Sequence, residues 1–134
     1  MKIDKLVKIM KKLRDPKDGC PWDKVQTLES IIPHSIEEVY EVAEQVYLKN
    51  YKKLKEELGD LLFQVVYLSQ IASEKNKFNF DDVVEGISKK MISRHPHVFK
   101  NKKFKNMKDF KLWWEKSKNK KQYSILEDIP FTYP

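Results

Sequence analysis

The chain has 134 residues, 40% of them hydrophobic and 35% charged, with three Gly, six Pro and a formal net charge of +7. That length carries one domain with a proper core and is too short for two, and the composition suits a helical protein rather than a disordered or all-β one. The single cysteine, Cys20, excludes an internal disulfide and a cysteine-based zinc cluster, and fits a reducing cytosol.

Ile3, Leu6, Val7, Met10 and Leu13 recur with a helical period, and the lysines between them deny this segment the unbroken apolar core of a signal peptide. Asp15-Pro16 ends the helix, because proline disfavours the α conformation in the residue before it. Residues 16–21 are rich in helix breakers and read as an ordered loop delivering Trp22. Thr27 is placed to cap the next helix, which Pro33 is expected to interrupt or kink before it continues over residues 35–47. In that continuation Ile36, Val39, Tyr40, Ala43, Val46 and Tyr47 form one apolar stripe. Glu37, Glu38, Glu41 and Glu44 occupy the opposite arc, for which a solvated acidic face is the simple reading.

A turn-like Lys49-Asn50-Tyr51 separates this helix from the next. Over residues 61–71, Leu61, Leu62, Phe63, Val65, Val66, Tyr67, Leu68 and Ile71 leave no polar side, so burial all round is expected, in a bundle or at a subunit interface. The most apolar stretch, residues 61–68, is broken by Gln64 and far shorter than the roughly 20 residues of a membrane span. The expected protein is soluble and cytoplasmic. Glu57 and Asp60 lead into this helix, and carboxylates entering a buried helix must be paired, protonated or metal-bound. A salt bridge to a lysine is the competing account. Gly59 between them either permits close backbone approach or is a tolerated helix glycine.

Asn79 or Asp81 caps a further helix with core positions Val83, Val84, Ile87 and Met91, from which Lys90 and Arg94 project on one face. The segment 95–99, His-Pro-His-Val-Phe, ends it. Its two histidines read as structural, since no other transition-metal ligand accompanies them. Residues 100–108 form an exposed lysine-rich loop, and Phe110, Trp113 and Trp114 lie on a last short helix as core aromatics. Residues 122–134 are expected to be an extended tail. From 89 to 121 there are thirteen Lys or Arg against Asp109 and Glu115, which favours an anionic partner.

Glu38/Glu41 and Glu57/Asp60 are each spaced i, i+3, so both members of a pair share one side of a helix, and two such helices lying antiparallel bring four oxygens together. Four clustered carboxylates without cysteine suit a hard divalent cation, and Mg²⁺ keeps waters while bridging to phosphates. Such an ion activates water and neutralises a leaving group, while nearby lysine and arginine complete the neutralisation of a polyphosphate and an aromatic stacks on a base. A Walker-type phosphate loop is absent.

Those carboxylates also fit the pattern E-E-x-x-E followed by E-x-x-D, through Glu37, Glu38, Glu41, Glu57 and Asp60. Together with Cys20-Pro21-Trp22-Asp23-Lys24, Gln26-Thr27, the run 56–66 and Arg94-His95-Pro96-His97-Val98-Phe99, they make the chain resemble the MazG-type nucleoside triphosphate pyrophosphohydrolases over nearly its whole length. The resemblance implies an all-α, four-helix-bundle-like fold completed by dimerisation, with residues 1–121 forming one domain. It implies Mg²⁺-dependent hydrolysis of NTP or dNTP to the monophosphate and pyrophosphate, with Mn²⁺ as a substitute ion. By the same resemblance Glu38, Glu41, Glu57 and Asp60 are the metal ligands; Lys53, Glu56, Lys90, Arg94 and Trp114 contact the nucleotide, acting across the dimer in some cases; and Glu37 positions or deprotonates the attacking water. Many members carry two such domains where this chain has one, and residues 124–130 resemble the family's link out of the domain. The lysine run after Phe99 is heavier than the family leads one to expect. It supports a reading of another class, a catalytically silent basic helical module binding nucleic acid through residues 89–121, whose affinity would fall steeply with salt.

Overall fold

The computed structural model describes residues 1–121, and the tail expected at 122–134 lies outside the described residues. The described residues are all-α, with helices α1 (Lys2–Leu13), α2 (Leu28–Tyr47), α3 (Tyr51–Glu74), α4 (Phe80–Arg94), α5 (Pro96–Phe99) and α6 (Met107–Lys121), and a 3₁₀ turn at Asp23–Val25. The chain divides into two compact units, Met1–Val84 and the remainder from Glu85 onward.

In the first unit, α1 stops at Leu13, and Asp15 starts the loop by accepting from the backbone N–H of Lys17 and Asp18 through Oδ1. Gly19 then folds back so closely that a Cβ there would lie 2.4 Å from Asp15 O and 2.5 Å from Leu13 O. Thr27 and Ser30 form a reciprocal capping box at the start of α2. Pro33 does not break this helix, which runs uninterrupted from Leu28 to Tyr47. By then the first turn is closed by its cap, so the missing proline N–H removes only one rung of the ladder. Asn50 caps α3 through the N–H of Lys53, and a three-residue turn with Lys49 at positive φ makes α2 and α3 an antiparallel hairpin. Asn79 and Asp82 cap α4 reciprocally.

The core of this unit is Met10, Ile31, Val66, Tyr67 and Ile71, with Leu6, Val7, Leu28, Phe63, Leu68 and Phe80 packed around it. Each fully buried aliphatic there contributes about 1.5–3 kcal/mol. Arg14 closes one end. Its Nε and Nη2 each donate to a Glu74 carboxylate oxygen at 2.8 Å, and its Nη1 donates to the carbonyls of Asp23 and Gln26. Tyr67 donates its hydroxyl to the same Asp23 carbonyl at 2.8 Å, and burial pushes that phenol up to about 12. The loop before α2 is thereby tied to the C-terminal ends of both α1 and α3.

The periodicity of α2 misassigns its faces. Val39 and Tyr40 are each 53% exposed and Tyr47 is 86% exposed, whereas Glu38 and Glu41 on the polar arc are half-buried. Nor is α3 buried all round within one chain, since Leu58, Leu62 and Val65 are exposed. On α4, Val84 and Ile87 are exposed rather than core.

The second unit is organised by aromatic packing. Phe104, Phe110, Trp113 and Trp114 cluster with His95 and His97, the His97–Phe110 rings being 4.7 Å apart and the His95–Trp114 rings 5.2 Å. His95 Nδ1 pairs with the Met91 carbonyl at 2.7 Å. Both histidines pack within this aromatic cluster.

The Arg14 clamp yields a prediction: Arg14→Leu leaves two carbonyls and the Glu74 carboxylate short of donors and lowers unfolding free energy by about 2–4 kcal/mol, read by urea denaturation. A loss within 0.5 kcal/mol would show that the clamp is incidental.

Candidate metal centre

The hairpin turn at residues 48–50 sets the register of α2 against α3, bringing Glu41 level with Glu57 and Glu38 level with Asp60. One carboxylate oxygen from each of the four lies within 4.8 Å of the others. Glu38, Glu41 and Glu57 are half-buried and Asp60 is exposed, so the cluster is open to solvent at Asp60. At the next turn inward Ser35 donates to Gln64 Oε1 at 3.1 Å. Sequence reading did not single out this pair, although Ser35 continues the i, i+3 row through Glu38 and Glu41, and Gln64 is the polar break in an apolar run.

No described lysine or arginine forms an ion pair with any of the four; the ion pairs among the described residues are Met1–Asp4, Arg14–Glu74 and Lys89–Glu85. The salt-bridge account is thus not met there. Oε2 of Glu38 and Oε2 of Glu57 are buried without a hydrogen-bond partner among the described residues. Burial, followed by the hydrogen bond and charge of Glu41, pushes the Glu38 carboxyl up to about 7. The Glu57 carboxyl is raised first by its hydrogen bond with Glu41 and then by burial, with repulsion from Glu41, Asp60 and Glu56 adding to it.

These residues fit a hard divalent ion. The donors are all oxygen, two of them unsatisfied, and 4.8 Å is little more than the about 4.2 Å that separates opposite oxygens around an octahedral Mg²⁺. Gly59 adds nothing here: a Cβ built on it meets no atom within 4 Å, so it is simply a tolerated helix glycine.

The remaining sequence candidates are distributed between the units. Glu37, Lys53 and Glu56 lie on the same hairpin and are exposed, with Glu56 near enough to Glu57 to repel its charge. Lys90, Arg94 and Trp114 belong to the second unit. There Lys90 is exposed, whereas Arg94 is only 5% exposed, its guanidinium 5.4 Å from the centre of the Trp114 ring and its Nε buried and unpartnered among the described residues. Arg94 and Trp114 thus form one stacked element.

Residues 26–99 match the family model described as the MazG nucleotide pyrophosphohydrolase domain. Over 137 residues the chain is 45% identical to a nucleoside triphosphate pyrophosphohydrolase of Escherichia coli, covering 98% of this chain and 52% of that protein. A nucleoside triphosphate pyrophosphohydrolase/pyrophosphatase MazG of Thermotoga maritima is also 45% identical, over 95% of this chain and 49% of its own length. The chain therefore spans about half the length of the curated relatives it matches. The crystal structure of a mazG-related protein from Thermotoga maritima superposes with a TM-score of 0.71 at 24% identity, covering 87% of this chain and 98% of that one, which is a likeness of fold.

The raised Glu38 carboxyl predicts a pH effect. Glu38 titrates at about 7 in the folded chain against an ordinary 4.5, so the folded state takes up the proton more readily. Its contribution favours folding below pH 4.5 and is lost as pH rises through 7. In EDTA the Tm should fall between pH 5 and pH 8, less steeply for Glu38→Gln, and Mg²⁺ should raise it more at pH 8 than at pH 5. Equal Mg²⁺ effects at both pH values would contradict this.

Proposed function

The chain belongs to the MazG nucleotide pyrophosphohydrolase domain family, and on that premise we propose that it hydrolyses nucleoside triphosphates, NTP or dNTP, to the monophosphate and pyrophosphate by water attack at the α-phosphate. One observation carries the reading: four carboxylate oxygens from facing helix turns lie within 4.8 Å of one another and, among the described residues, two buried oxygens are unpartnered and no lysine or arginine pairs with the four. Glu38, Glu41, Glu57 and Asp60 would hold Mg²⁺, with Mn²⁺ as a substitute. When bound, the ion neutralises triphosphate charge and lowers the pKa of water.

The chain's own residues do the rest. Glu37, next to Glu38 on the exposed flank of α2, orients the attacking water and accepts its proton. Glu56 contacts the nucleotide from α3, and Lys53 offers its exposed ammonium to the phosphates. Lys90 and Arg94 supply further positive charge, and the Arg94–Trp114 stack offers a base an aromatic face backed by a guanidinium. Stacking of this kind is indifferent to base identity, which suits a broad role in clearing surplus or non-standard nucleotides.

Residues 1–121 act as one catalytic domain in this reading, in the cytoplasm. No helix of the described residues is long and apolar enough to cross a membrane. A homodimer is part of the proposal, supported by Val39, Tyr40, Leu58 and Leu62, exposed apolar residues on the two helices of the hairpin. The silent nucleic-acid module is the weaker reading: Phe104, Phe110 and Trp113 pack on one another rather than standing free for bases.

Incubation with Mg²⁺ and a panel of NTPs and dNTPs should release monophosphate and pyrophosphate. Glu38→Gln and Asp60→Asn, checked for intact helical circular dichroism, should each lower kcat by about a hundredfold or more. Turnover of no nucleotide, or release of orthophosphate alone, would overturn the assignment.

A further inference from the structure

The α2–α3 seam stays polar for one turn beyond the carboxylates. Gln45 lies four residues after Glu41, hence on the same face of α2, and its backbone carbonyl accepts from the Asn50 N–H at 3.1 Å where the hairpin closes. The residue is only 8% exposed, yet its side-chain Oε1 is buried with no hydrogen-bond partner among the described residues. An unpaired buried amide oxygen costs a folded chain stability that an aliphatic side chain of similar size would not forfeit.

Gln45 does not stand alone. Four buried side-chain atoms among the described residues lack a partner, and three of them are oxygens of this one seam: Glu38 Oε2, Gln45 Oε1 and Glu57 Oε2. All three are acceptors. At the opposite end of the seam Ser35 and Gln64 satisfy each other. The shortage of positive partners therefore begins at Glu38 and runs to Gln45, one helical turn past the outermost carboxylate on α2.

Resting on the cation reading above, we propose that Gln45 is a further ligand of the divalent-cation site, its amide oxygen extending the set Glu38, Glu41, Glu57 and Asp60 toward the hairpin turn. Amide carbonyls are ordinary ligands of hard cations. A neutral oxygen also adds a ligand without adding to the repulsion among four carboxylates, which a fifth acid at this position would do.

The test is Mn²⁺ binding to the full chain, followed by calorimetry and by the electron paramagnetic resonance signal of free Mn²⁺, in the wild type and in Gln45→Leu and Gln45→Met. The wild type should bind, and both variants should bind about tenfold more weakly or with fewer ions per chain, with unchanged helical circular dichroism. Variants that bind as the wild type does would overturn the role of Gln45 and leave the four-carboxylate site standing; a wild type that binds no Mn²⁺ would overturn both. A readout that does not depend on the variants folding is the side-chain carbonyl ¹³C resonance of Gln45 in the wild type. Mg²⁺ should shift it saturably, and an unmoved resonance would also overturn the proposal.

Discussion

Repulsion among like charges in the α2–α3 seam is the constraint around which the first unit is arranged. A helix hairpin ordinarily closes on apolar side chains, because two helices gain most by removing such surface from water. Here the facing positions are Glu38, Glu41, Glu57 and Asp60, with oxygens within 4.8 Å of one another. Burial raises the Glu38 carboxyl first and the hydrogen bond with Glu41 raises that of Glu57 first, and repulsion among the neighbouring acids adds to both. A bound cation turns that repulsion into attraction, so the same four residues would hold the hairpin together.

The stability of the first unit is concentrated away from these carboxylates. Val66, Tyr67 and Ile71 bury the C-terminal half of α3 against Met10 and Ile31, about 14 Å along the helix from Glu57 and Asp60 at 1.5 Å per residue. Arg14 locks that end through Glu74 and two loop carbonyls. Well-satisfied packing at one end and unsatisfied oxygens at the other is the division of labour expected when a binding site departs from what stability alone would favour.

Much of this was legible in the sequence, and the failures have physical causes. The i, i+3 spacing of both carboxylate pairs, the Thr27 cap and the stop at Asp15-Pro16 depend on local chemistry, and each was read correctly. The faces of α2 were not. Periodicity separates Val39, Tyr40 and Tyr47 from the glutamates but cannot say which arc meets α3, and the usual preference for burying the apolar arc gives the wrong answer when carboxylates occupy the seam. Pro33 misled because a proline past a well-capped first turn removes one hydrogen bond without ending a helix. Arg14–Glu74 spans 60 residues of chain, and no local pattern announces such a pair. Orphaned oxygens such as those of Glu38, Glu57 and Gln45 are visible only once burial and hydrogen-bond partners are known.

The account stands or falls on whether this seam takes up a divalent cation. The most direct measurement is the anomalous scattering of Mn²⁺ diffused into crystals of the protein. A difference peak bounded by the carboxylates of Glu38, Glu41, Glu57 and Asp60, at coordination distance from their oxygens, is the expected result. An ordered seam with no peak at saturating Mn²⁺, or with the peak at another cluster, would contradict it.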